Sequence, residues 1–251
     1  MPNIYHLLRN QLGSIRKVYL RGNKISRKQD FGQFPETVLL LHGFFQTRNI
    51  WEIMERRLRR EGFGVLSLNL GGLLWQYNTK SITKQAEYLY AKMEKICKNH
   101  NIQKFHIIGH SMGGLVARHY IQSYGGDQRV KSLITLGSPH HGTPTALIGV
   151  FLMGAGVLSV SPFQMLPNSR FVKKLRKESF PPHIPLTSIF SRHDFICPWW
   201  ASVLRPDETH PYMMNYQLRG IGHSELTYHP QIFQLVLERL QMACQVKQES
   251  L

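Results

Sequence analysis

Two kinds of segment alternate along this chain. Short apolar-rich runs, bounded by glycine, proline or polar turns, occupy residues 37–41, 65–70, 104–109, 130–136, 185–190 and 214–218. Helix-like stretches lie between or after them, at Asn49–Arg60, Ser81–Lys98, Met112–Tyr124 and Pro230–Gln241. Thr37-Val38-Leu39-Leu40-Leu41 is apolar throughout, as a strand covered on both faces of a parallel sheet must be. Strands alternating with helices predict a doubly wound, mostly parallel α/β sheet with right-handed crossovers. Residues 1–35 are basic and weakly patterned, with a short strand or helix around Ser14–Leu20.

The alternation breaks past residue 144. Thr145 to Phe163 carries no charge, and Leu147-Ile148-Gly149-Val150-Phe151-Leu152-Met153 is apolar on every side. A membrane span needs roughly 20 apolar residues, whereas this run is shorter, broken by glycines and closed by Pro162. Residues 143–182 therefore read as an apolar lid inserted over the site, against the plainer alternative of a buried core helix. The length, 251 residues, fits one domain, with a core over about residues 36–241.

Composition changes the picture in one respect. Against 15 Asp and Glu stand 31 Lys and Arg, a net charge of +16, concentrated in clusters such as Arg56-Arg57-Leu58-Arg59-Arg60 and Lys173-Lys174-Leu175-Arg176-Lys177. Such clusters attract polyanions or simply keep a helix face solvated. No nucleic-acid module accompanies them, so nucleic acid is not expected, and peripheral contact with an anionic membrane surface stands beside the plain solvated face as a reading. Cys97, Cys197 and Cys244 are widely spaced, giving neither a disulfide framework nor a zinc motif. The amino end lacks the unbroken apolar core of a signal peptide, which predicts a cytoplasmic or membrane-peripheral protein, export by another route being left open.

Chemistry concentrates at Gly109-His110-Ser111-Met112-Gly113, between the apolar run Phe105–Ile108 and the helix-like run Gly114–Tyr120. A serine at the tip of a strand-to-helix turn needs neighbours without side chains, because strand and helix approach closely there. Gly109 and Gly113 meet that need, making Ser111 the candidate nucleophile. Serine requires a general base, and the base an orienting acid. In doubly wound hydrolases the acid follows a late strand and the histidine precedes the last helix. Asp194, just past Ile189-Phe190, occupies the acid position; Asp127 reads as a solvent-facing turn residue and Asp207 and Glu208 as a surface loop. His223, in Gly220-Ile221-Gly222-His223-Ser224, occupies the base position ahead of His210 and His229. The oxyanion donors fall to the backbone N–H groups of Phe44 and Met112.

With these residues in place the chain resembles the α/β-hydrolase superfamily, in its lipase and esterase branch. His42-Gly43-Phe44 is similar to the oxyanion segment and Gly109–Gly113 to the lipase-type elbow. Leu136-Gly137-Ser138-Pro139-His140-His141-Gly142-Thr143-Pro144 resembles the strand exit of bacterial triacylglycerol lipases and of GPI inositol-deacylase-like proteins. Gln164-Met165-Leu166-Pro167-Asn168-Ser169 is similar to the end of their lid. The resemblance implies a carboxylic ester hydrolase of lipid-like acyl esters, working through an acyl-serine without an organic cofactor. With four aspartates in the chain, the structural calcium of some relatives is not carried over and no metal is expected. The short amino-terminal region implies a sheet lacking the first antiparallel strands. Acyl transfer or thioester hydrolysis would use the same residues, and a non-catalytic binding protein on this fold is the reading from another class.

Overall fold

The structure, a computed structural model, describes residues 31–71, 79–152, 159–205 and 210–245. The element expected at Ser14–Leu20 and the question of further amino-terminal strands lie outside these residues. Six strands are described: β1 (Thr37–Leu41), β2 (Gly64–Leu68), β3 (Phe105–His110), β4 (Val130–Leu136), β5 (Leu186–Ser191) and β6 (Met213–Leu218). They form one sheet in the order β2-β1-β3-β4-β5-β6, and every neighbouring pair is parallel.

The helices are α1 (Glu52–Arg60), α2 (Ile82–His100), α3 (Met112–Ser123), α4 (Ala146–Leu152), α5 (Ser161–Gln164), α6 (Arg170–Lys177), α7 (Trp199–Ser202) and α8 (Pro230–Gln245). Alternate residues of one strand serve opposite cores. Leu39, Leu41 and Ile107 pack with Leu89 and Met93 of α2 and Leu115 of α3, whereas Val38, Leu40 and Ile108 pack with Met54 and Leu58 of α1 and Val236 and Leu240 of α8. That two-sided burial explains why the strands lack polar alternation. At the edge, β6 has exposed positions at Met214, Asn215 and Gln217.

Polar residues set the helix ends. The Ser81 side chain accepts the Lys84 N–H at the start of α2, and Asn101 takes a left-handed φ of 51° at its end. The Ser169 side chain likewise accepts the Val172 N–H at the start of α6. Where it is described, the apolar stretch after residue 145 is not a wholly buried helix: α4 buries Ala146 and Val150 but exposes Leu147, Ile148 and Phe151. Residues 153–158 of the expected lid lie outside the described residues.

Strand order reverses between β1 and β3, with β2 to one side and β4 to β6 on the other. Clefts in such sheets open beyond the carboxyl ends of the strands at this reversal. The loops after β1 and β3, holding Phe44 and Ser111, therefore meet there.

Candidate active site

Ser111 joins β3 to α3 at φ 53° and ψ −125°, a conformation that costs a non-glycine residue about 1–3 kcal/mol. The surroundings impose it. The Ser111 N–H donates to the Leu136 carbonyl at 2.9 Å, and its own carbonyl accepts the Gly114 N–H at 3.1 Å. A Cβ on Gly109 would lie 2.6 Å from Gly114 Cα, and one on Gly113 would run into the Leu41 carbonyl oxygen. Two further glycines belong to this packing: a Cβ on Gly114 would collide with Ser138 Oγ, and one on Gly43 would stand 2.8 Å from Ser111 Cβ.

Asp194 and His223 come together as expected. Asp194 Oδ2 lies 2.6 Å from His223 Nδ1, with the carboxylate wholly buried. Asp194 Oδ1 accepts the backbone N–H groups of Ile196 at 2.9 Å and Cys197 at 2.7 Å. Both oxygens are thus committed, and the imidazole is held through Nδ1 with Nε2 turned away from the acid. Burial, then the Asp194 charge, pushes the adjacent Cys197 thiol well above its ordinary range, so it stays protonated.

Gly137, directly after β4, ties this pair to the elbow. A Cβ there would lie 3.0 Å from Asp194 Oδ2 and 3.3 Å from His223 Nδ1, while the neighbouring Leu136 carbonyl holds the Ser111 N–H. Ser111, Asp194 and His223 therefore occupy one edge of the sheet, beyond β3, β5 and β6. No hydrogen bond joins the Ser111 hydroxyl to the His223 ring, a contact that in unliganded sites often tightens only when substrate is bound. Neither the Phe44 N–H nor the Met112 N–H donates to any described residue, so both of these backbone donors are open.

The competing residues are placed elsewhere. Asp127 precedes β4, at the opposite sheet edge, where its carbonyl lies 3.3 Å from His183 Nε2. Asp207 and Glu208 lie outside the described residues. His210 is buried beside Phe180, its Nε2 3.1 Å from the Pro181 carbonyl, and His229 Nδ1 accepts the Gln231 N–H beside α8.

Among the buried histidines, His42, His110 and His140 were given no role of their own in the sequence reading. Burial pushes His42 down to about 4, against the upward effect of the Gly43 carbonyl, and pushes His110 and His140 well below the ordinary imidazole range. His110 packs on the His223 ring with centroids 4.4 Å apart, and its Nδ1 and Nε2 each lie 3.0 Å from an oxygen, Gln46 Oε1 and the His223 carbonyl. The signal available was its place inside the elbow, between Gly109 and Ser111.

One cluster among the described residues has metal-ligand chemistry: Glu36, His106 and Cys244, at the amino end of the sheet. His106 Nε2 lies 3.2 Å from Glu36 Oε2 and 3.7 Å from Cys244 Sγ. Lys131 Nζ already reaches both Glu36 oxygens, at 2.5 and 2.6 Å, supplying the positive charge a cation would bring. The cluster is accounted for as an ion pair flanked by a neutral histidine.

Residues 36–153 match a family model described as the alpha/beta hydrolase fold. No curated protein matches the chain. Solved structures are similar to most of it. The mature lipase BlEst2 of Bacillus licheniformis matches 87% of this chain and 96% of its own, at 14% identity and TM-score 0.65. The monoacylglycerol lipase of Paleococcus ferrophilus matches over 84% and 96%, at 15% identity and TM-score 0.61. A thermophilic esterase from Thermogutta terrifontis matches over 84% and 91%, at 18% identity and TM-score 0.55. At such identities the likeness lies in the path of the backbone and does not reach the choice of substrate. Strand order, the turn at Ser111 and the match over residues 36–153 agree on one reading: the chain has the α/β-hydrolase fold.

Proposed function

We propose that the protein is a serine carboxylic ester hydrolase of the lipase and esterase branch, acting on lipid-like acyl esters. The observation that carries this is the pairing of a strained Ser111 turn with the buried Asp194–His223 hydrogen bond of 2.6 Å on the same sheet edge. Ser111 Oγ attacks the acyl carbon while His223 Nε2 takes its proton, and Asp194 holds the resulting imidazolium. The Phe44 and Met112 N–H groups receive the oxyanion, a donor of this kind contributing about 3 kcal/mol. The alkoxide leaves with the proton from His223, and water then cleaves the acyl-serine by the same route.

Apolar surface around the acid supports a greasy substrate. Phe195 and Ile196 follow Asp194 and are 60% and 56% exposed, and the Thr145 hydroxyl donates to the Ile196 carbonyl at 2.5 Å. That contact brings up α4, where Phe151 is 79% exposed. Large apolar side chains are thus exposed both beside the acid and on α4, which suits a greasy acyl chain. We read the whole as one catalytic domain, core about 36–241, with residues 143–182 as its lid. By motif the chain reads as similar to bacterial triacylglycerol lipases, and the net charge of +16 favours work on anionic membrane surfaces. No described helix is long and apolar enough to cross a membrane.

The test is labelling with a fluorescent long-chain alkylphosphonate, alongside Ser111→Ala and His223→Ala, the adduct being located by mass spectrometry. Labelling of Ser111 alone, weakened without His223, is the expected result. An adduct elsewhere, or none with lipid or detergent present, overturns the assignment.

A further inference from the structure

The loop after β1 is closed by one side chain. Gln46 Oε1 accepts the Gly43 N–H at 2.8 Å, and the Gln46 N–H reaches the Gly43 carbonyl at 3.4 Å. This turn carries Phe44 and holds Phe45 at a φ of 53°. The same Oε1 lies 3.0 Å from His110 Nδ1, whose other nitrogen lies 3.0 Å from the His223 carbonyl. An unbroken series of contacts therefore runs from the oxyanion turn through Gln46 and His110 to the base, and on to Asp194 through His223 Nδ1.

Counting protons makes this series unusual. The Gln46 oxygen already accepts from Gly43, and a backbone carbonyl can only accept, so both partners of the His110 ring are acceptors. A neutral imidazole has one N–H to give. A second proton would make a buried cation next to the His223 ring and near His42, with the Trp51 ring 6.4 Å away at a right angle. The ring can thus donate to one of two loops at a time, the one holding an oxyanion donor or the one holding the base, and its tautomer sets which.

We propose that His110 is a positioning residue for the reaction, setting the turn that bears the Phe44 N–H and the loop that bears His223 relative to Ser111 through one side chain. It touches no reacting atom and acts through Gln46 and the His223 backbone. The roles of the two loops rest on the ester hydrolase reading, whereas the coupling between them does not.

The experiment compares His110→Phe, which keeps an aromatic ring of similar width without nitrogens, Gln46→Leu, and the double variant. Three quantities are read: kcat and KM on a soluble aryl ester, the melting temperature, and the amide NMR signals of Gly43 and Phe44 with the low-field His223 Nδ1 proton. Each single variant is expected to lower kcat about 10- to 100-fold with little change in KM, the scale of a reacting group displaced by a fraction of an ångström to 1 Å. The double variant should be no worse than the worse single one, because both interrupt one chain. His110→Phe, although it does not touch Gly43, should move the Gly43 and Phe44 amide signals. Additive losses that only track melting temperature, or Gly43 and Phe44 signals unmoved by His110→Phe, overturn the proposal. If the wild-type protein takes no phosphonate the hydrolase reading fails by itself, and the amide signals still decide the coupling.

Discussion

Replacing Asp194 separates holding a loop from orienting a base. Asp194→Asn keeps Oδ1 for the Ile196 and Cys197 N–H groups but turns the other oxygen, 2.6 Å from His223 Nδ1, into an amide donor. Two donors cannot face each other, so the ring must place its proton on Nε2, the atom that should receive the Ser111 proton. The two backbone bonds weaken from charge-assisted to neutral, about 1 kcal/mol each, so the variant should unfold only about 1–3 kcal/mol more easily. A wrong tautomer lowers kcat about 10⁴-fold, or about 5.5 kcal/mol of barrier, with KM nearly unchanged. Asp194→Ala reverses the balance, because it leaves the Ile196 and Cys197 N–H groups without an acceptor and costs about 2–6 kcal/mol of stability. Urea titration gives the first quantity and steady-state ester hydrolysis the second. An Asp194→Asn protein within tenfold of wild-type kcat refutes the assignment of Asp194 as the acid, and one destabilised by more than about 5 kcal/mol refutes the expectation that the two backbone bonds to Oδ1 survive the substitution.

The buried neutral histidines make stability fall on acidification. Because His42 is held down to about 4 and His110 and His140 well below their ordinary value, the unfolded chain binds protons the folded one refuses. This contribution is complete above pH 6.5 and lost below it, His42 alone costing roughly 3 kcal/mol by pH 4; urea midpoints that stay level between pH 7 and 4.5 contradict it. Glu36 acts at lower pH: burial opposes its ionisation, but His106 and Lys131 outweigh burial and hold its carboxyl at about 2. The stability it adds is full above 4.5 and disappears as pH falls through about 2, so Glu36→Gln should cost stability at pH 7 and match wild type near pH 2 in thermal melts. Gly113→Ala drives a methyl into the Leu41 and His42 carbonyl oxygens, backbone atoms with no free rotation, and should destabilise by about 3 kcal/mol or more in chemical denaturation; a loss under about 1 kcal/mol would mean that β1 and α3 are not in such close contact.

The strands were legible because burial on both faces writes the same signal at every position. All six begin and end within about two residues of the apolar runs, β6 included although Asn215 and Gln217 face solvent. Asp194 and His223 were legible from their order after late strands, a consequence of parallel topology, and the structure pairs them. Gln46 was not, because its turn is aperiodic and the positive φ of Phe45 has no glycine to announce it. His110 was hidden by the elbow pattern, which constrains Gly109, Ser111 and Gly113 but leaves the position between glycine and serine open. Within residues 143–182 the apolar pattern did not reveal the subdivision into separate helices. Proline at 162 and 167 and the serine cap at 169 divide the described part into α4, α5 and α6.

The order of the strands also fixes when such a site can exist. Phe44, Ser111, Asp194 and His223 follow β1, β3, β5 and β6, so the residues proposed to act together span about 180 positions and meet only across a finished sheet. No fragment ending before residue 223 contains the base. On the proposed reading the serine turn is synthesised more than a hundred residues before the base that would activate it, so a nascent chain should be inert toward esters until β6, the last described strand, has emerged and docked. Hydrolysis of an ester by this protein would accordingly report on completed folding, which makes the activity a stricter gauge of the native state than the content of helix and sheet.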